Sequence, residues 1–160
     1  MKLIGVVVLF FAVFQIGLRK VEKLRQTNDF LHDLWFAIGE IGRQIALAQK
    51  PLPEIYKDLA KGENGKTNLF GRLCIEGDFA KVYDSLQKDL PRIDQLDNTM
   101  QKFLRVLGKT EAQEQVTLCT KTASSLRQIL ETEQSAFTGK RKMYLAVAAC
   151  AGGMLVLFVL

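Results

Sequence analysis

Gly65-Lys66-Thr67 is the first place in this 160-residue chain where residue types and spacing could do chemistry. The triplet has the tail of a phosphate-binding loop, whose backbone N–H groups and lysine cradle a nucleotide. The full pattern needs a glycine at position 60, which is Ala60, with a strand before the loop and a helix directly after it. Turn formers run from Gly62 to Thr67 and helical periodicity precedes them, so the stretch reads as a solvated loop. His32 is the only histidine, and its helical neighbours Asn28, Asp29, Trp35 and Phe36 include no second histidine and no cysteine. It reads as an interfacial side chain rather than a ligand or a base. Glu40, Glu54, Glu76 and Asp78 are scattered over polar faces without the pairing that acid–base catalysis needs. Ser85, Ser124, Ser125 and Ser135 lie outside any nucleophile-elbow context. Cys74 and Cys119 form no C-x-x-C pair, and Cys150 sits in an apolar run, so the cysteines read as reduced, small apolar side chains. The expectation is a protein with no catalytic, cofactor-binding or metal site, and therefore not an enzyme.

The two ends carry the strongest signal. Leu3 to Leu18 is apolar apart from Gly5, Gly17 and Gln15, and Met143 to Leu160 contains no charged or amide side chain. As helices these runs span about 24–27 Å, just short of a hydrocarbon core, with flanking residues making up the difference. A removable signal peptide is disfavoured, since only Lys2 precedes the first run and Phe14-Gln15-Ile16-Gly17 offers poor cleavage chemistry. A buried core helix is disfavoured for the second run, which lacks a polar stripe. The expected organisation is a transmembrane helix over residues 1–18, a helical domain over 19–142 and a second transmembrane helix over 143–160.

Arg19, Lys20, Lys23 and Arg25 follow the first run, while Lys140, Arg141 and Lys142 precede the second. Both basic clusters flank the domain side of their run, so the positive-inside rule places that domain in the cytoplasm. Nucleic-acid binding is the competing account of the positive charge. It loses because the clusters abut apolar runs and carry no interleaved aromatics.

Between the runs the pattern is all-α, a helical bundle of about five or six helices. Leu31, Leu34, Ile38, Ile41, Ile45 and Ala48 alternate spacings of three and four, the signature of one helix face. Asn28 or Asp29 could cap that helix, or it could continue unbroken from the membrane segment. Pro51 and Pro53 end it, and Pro53 suits the first turn of a helix over Glu54 to Lys61. Further helices are expected from Leu69 to Glu76 with a stop at Gly77, from an Asp78 cap to Pro91, and from Ile93 to Leu107 with a stop at Gly108. Thr110 and Gln113 match a capping box for the last helix, whose seam is Val116, Cys119, Ala123, Leu126, Leu130, Glu133 and Phe137. Packing the first and last helices antiparallel would bury two seams of coiled-coil spacing together. Each seam could equally be an ordinary core face. Ala148 with Gly152 and Ala149 with Gly153 add small-xxx-small spacings that let helices approach closely in lipid, the partner being this chain's first span or another subunit of a homo-oligomer.

The whole outline resembles the stage III sporulation protein AB family of endospore-forming bacteria. The resemblance rests on Met1-Lys2-Leu3-Ile4-Gly5, the Leu31…Leu34…Ile38…Ile41 helix, and the Pro51-Leu52-Pro53-Glu54 turn. It extends through Leu107-Gly108, Gln113 and Gln115, and Lys142-Met143 with Gly152-Gly153. The chain departs from the family pattern at Lys50, usually Thr, and at Tyr83, where a Trp is frequent. The resemblance implies a membrane component of the channel complex joining mother cell and forespore, similar to the platform proteins of type II secretion and type IV pilus systems. It also implies a companion secretion-type ATPase as partner. Distance from the membrane makes the far end, around Pro53, Glu54, Glu63 and Lys66, the expected docking surface. The alternative is a generic membrane-anchored adaptor or signalling subunit, which a neighbouring ATPase gene would argue against.

Overall fold

The computed structural model describes the backbone of residues 2–62 and 66–159, and the side chains of these except 2–14, 16–18, 140, 141, 145, 148, 149 and 151–159. Among the described residues there are six helices: α1 (Lys2–Ala48), α2 (Leu52–Lys61), α3 (Leu69–Glu76), α4 (Phe79–Gln87), α5 (Asp94–Val106) and α6 (Ala112–Val159). Asn28 and Asp29 do not start a helix, because α1 runs through them. Gly139 likewise lies within α6. Among the described residues no helix is long and apolar enough to cross a membrane. The two apolar ends fall mostly on residues whose side chains are not described.

Local chemistry sets the helix ends. At the end of α1, Gln49 takes a left-handed φ of 48° and donates its N–H to Ile45 O at 3.2 Å, after which the prolines forbid continuation. Pro51 is extended, and its carbonyl accepts from Glu54 and Ile55 to open α2. Gly77, at φ 65°, closes α3 with an N–H to Leu73 O, a conformation that costs glycine nothing. Asp78 Oδ1 then accepts from the N–H groups of Ala80 at 3.0 Å and Lys81 at 3.4 Å, capping α4. The capping box expected at Thr110 and Gln113 does not form. Helix α6 starts at Ala112, one residue too late for that frame; among the described residues Thr110 Oγ1 has no hydrogen-bond partner, and Gln115 Nε2 reaches back to Thr110 O at 2.7 Å.

The residues fall into two units, Met1–Arg25 with Glu133–Leu160 (unit 1) and Gln26–Thr132 (unit 2). In unit 2 the expected face of α1, from Leu31 to Ile45, is buried, but its last member Ala48 is exposed. Phe30, Asp33, Ala37 and Gly42 are buried as well, so α1 is covered over more of its circumference than one seam. Aromatic side chains supply the extra cover. Phe30 packs on Tyr83 of α4 and Phe36 on Phe70 of α3, while Phe79 of α4 sits between Tyr56 of α2 and Phe103 of α5, with ring centroids 6.0–6.4 Å apart. Against α6 the approach is closer. A Cβ on Gly42 would stand 2.8 Å from the Cβ of Cys119, a separation only glycine permits. Of the expected α6 seam, Cys119, Leu126 and Leu130 are buried, whereas Val116, Ala123, Glu133 and Phe137 are half-buried. Thr122 and Ile129 join the buried set from the flank.

Candidate functional site

The 62–67 loop follows α2 and leads into α3, and its exit is tied to α1. Asp33, fully buried, accepts hydrogen bonds from Lys66 N at 3.0 Å, Thr67 N at 2.5 Å and Thr67 Oγ1 at 2.7 Å. Lys66 Nζ lies 3.8 Å from Asp29 Oδ1, one turn along the same helix. The Lys66 and Thr67 donors that a phosphate would use are thereby engaged by the protein's own carboxylate. Lys66 and Thr67 tether the approach to α3 to α1. Asp33 carries no motif, but its spacing from Phe30 and Ala37 puts an acid within a second apolar stripe, and that was its signal in the sequence.

A second polar hub joins α4 to α5. Asp97 accepts from Tyr83 Oη at 3.2 Å, from Arg92 Nε at 2.9 Å and from Gln87 Nε2. Burial opposes the charge on Asp97, but the hydrogen bonds from Gln87, Arg92 and Tyr83 outweigh it and hold its carboxyl below the usual range. Burial, reinforced by Asp97, pushes the Tyr83 phenol up. These residues line an open groove of about 520 Å³ with Lys88 and Gln101. Tyr83 and Gln87 lie on α4 and Arg92 in the linker before α5, so Asp97 ties α5 to both and is a structural hub.

The residues singled out in the sequence do not converge. Pro53 and Glu54 are exposed at the start of α2, beside a groove of about 510 Å³ lined by Gln49, Lys50, Leu52, Gly108 and Gln115. Lys50 Nζ donates to Asp58 Oδ2 at 2.6 Å, bracing the proline turn against α2. Lys66 sits instead beside Asp29 and Asp33, and along α1 Asp33 is about 22 Å from Ala48, where the proline turn begins. Glu63 lies outside the described residues. Glu40 is held by Arg43 and Gln44, and the Arg43 hydrogen bond keeps its carboxyl low against the opposing effect of burial. The His32 ring meets Trp35 edge-on, and its Nδ1 is 3.9 Å from Asp33, too far for a hydrogen bond. Among the described residues no group of three or more His, Cys, Asp or Glu could hold a metal ion.

In unit 1, Lys20 Nζ stands over the Tyr144 ring, 5.7 Å from its centroid. Arg19, Lys20, Lys23, Arg25 and Lys142 are exposed. Met143 and Val147, 54% and 59% exposed, stand one turn apart, with Ala146 and Cys150 exposed on the same side of α6. The side chains of Lys140, Arg141, Ala148 and Ala149 lie outside those described, and Gly152 and Gly153 are described only as backbone of α6.

A family model described as stage III sporulation protein AB matches residues 2–160. No curated protein and no solved structure matches the chain.

Proposed function

The chain belongs to the stage III sporulation protein AB family and so has a sporulation-related role; from that premise we propose that it is a non-catalytic membrane component of the mother cell–forespore channel complex. The observation that carries this is the family match, which covers essentially the whole chain, including both apolar ends. In the proposal, residues 1–18 and 143–160 are transmembrane helices and residues 19–142 face the mother-cell cytoplasm, flanked by the two basic clusters. The open stripe of Met143, Ala146, Val147 and Cys150 supports it. Apolar side chains displayed together along a helix are stable against lipid and costly against water.

The domain's task in this reading is to dock a secretion-type ATPase. The exposed Pro53–Glu54 start of α2, with its adjoining groove, is the proposed contact, and Lys66 is a comparison site because its loop is tethered elsewhere. Co-purification with the ATPase should fall with Glu54→Lys and hold with Lys66→Glu; binding unchanged by Glu54→Lys counts against the contact.

Deleting the gene in the source organism and imaging starved cells tests the function as a whole. Normal vegetative growth with engulfed forespores that fail to mature is the expected result. Normal spores would remove the channel role and leave a membrane adaptor of another kind.

A further inference from the structure

The positive charge of the chain is not spread over it. Unit 1 holds eight lysines and arginines against two acids, Glu22 and Glu133, whereas unit 2 holds fourteen against fifteen. The formal net charge of +5 therefore arises entirely beside the apolar ends, and the helical core of unit 2 is electrostatically balanced.

Within unit 1 the Lys20–Tyr144 contact puts these two positions of α1 and α6 side by side. Arg19, Lys23 and Arg25 lie within about 8 Å of Lys20 along α1, and Lys140, Arg141 and Lys142 precede Tyr144 by about one turn of α6. Both clusters therefore share one level. Glu22 stands at the same level, but the seven cations outnumber it, so the level keeps an excess of positive charge that attracts an anion. From Met143 onward the surface of α6 turns apolar and open, at Met143, Val147 and Cys150. Tyrosine favours such a boundary, with its ring in the apolar zone and its hydroxyl among polar groups. A ligand fitting both zones needs an anionic head next to an acyl chain. Free phosphate satisfies only the first.

We infer that the two basic clusters form a single collar that binds anionic phospholipid headgroups, pinned in register by Lys20 on Tyr144. The inference rests on the membrane reading above and adds the class of lipid.

The test uses the full chain purified in an uncharged detergent and titrated with phosphatidylglycerol or with phosphatidylcholine of the same acyl chains, bound lipid being read by native mass spectrometry. Phosphatidylglycerol should be retained at about tenfold lower concentration or better, given the attraction of each juxtamembrane cation for an anionic headgroup. Combined Arg19→Gln, Lys140→Gln, Arg141→Gln and Lys142→Gln should abolish the preference. A control with the same loss of charge in unit 2, Lys57→Gln, Lys88→Gln, Lys102→Gln and Lys109→Gln, should keep it. Equal retention of the two lipids, equal loss in both variants, or displacement by equimolar inorganic phosphate would overturn the collar. Alkaline carbonate extraction of native membranes reads the anchors separately. Protein kept in the pellet without a lipid preference sinks the collar alone, and protein released sinks the anchored reading beneath it.

Discussion

Thr67 is bound to Asp33, thirty-four positions earlier, through both its backbone N–H at 2.5 Å and its hydroxyl at 2.7 Å, on the same carboxylate oxygen. The other oxygen takes Lys66 N at 3.0 Å. Two residues of a triplet that looks like nucleotide-binding sequence, Lys66 and Thr67, thus tie the approach to α3 to the buried Asp33 of α1.

Removing that carboxylate strands three donors in a partly buried site. Asp33→Ala should cost about 2–4 kcal/mol, and Asp33→Asn less, because one acceptor oxygen survives. Urea unfolding of the full chain in detergent measures both. An Asp33→Ala protein with an unshifted midpoint would sink the tether. ATP should leave the wild-type midpoint where it is.

Two glycines one turn apart on α1 should respond in opposite directions. Gly39 is exposed with nothing within 4 Å of an added Cβ, so Gly39→Ala should stabilise by about 0.5–1 kcal/mol through helix propensity. Gly42→Ala places a Cβ 2.8 Å from that of Cys119 and should destabilise by about 1–3 kcal/mol. In a double-mutant cycle with Cys119→Gly the Gly42→Ala cost should shrink, and additive behaviour would mean that α1 and α6 do not meet there.

The thiols should separate by reactivity. Burial pushes the Cys119 thiol up to about 11, while Cys74 is exposed on α3. A charged maleimide at neutral pH should modify Cys74 in the native protein and Cys119 only after denaturation. Native labelling of Cys119 at a comparable rate would contradict the packing of α6 on Gly42.

Stability should fall at both ends of the pH scale, for opposite reasons. Cys119 and Tyr56 are raised in the folded protein, to about 11 and about 12, chiefly by burial. Their contribution is complete below the unfolded values of 9.0 and 10.0 and is lost as the pH rises through the folded ones. Asp97 is lowered from 3.8, so its contribution is present above that value and is lost as the pH falls through the folded one. Melting temperatures of wild type, Cys119→Ala and Asp97→Asn from pH 2 to 11 check this. The first variant should flatten the alkaline limb and the second the acid limb, and parallel curves would refute the assignments.

Much of the fold is legible residue by residue. Pro51, Gly77, Asp78 and Gly108 mark ends that depend only on φ, a missing N–H or a side-chain cap, and α3 runs from Leu69 to Glu76 as its spacing predicts. The capping box at Thr110 was misleading because its frame depends on where α6 begins, and that shifted by one residue. Ala48 continues the periodicity of α1 yet is exposed, since periodicity states which face is apolar but not how far a neighbour covers it.

Sequence alone therefore determined the helices, their apolar faces and the placing of positive charge beside two apolar ends, because each is a property of neighbours along the chain. Tertiary structure alone decided that Asp33 would answer the donors of Lys66 and Thr67, that Gly42 would admit Cys119, and that Lys20 would meet Tyr144. Each of these pairs joins residues more than thirty positions apart. Helical spacing is set by the backbone of one segment, whereas which two segments touch is set by how their side chains fill the space between them.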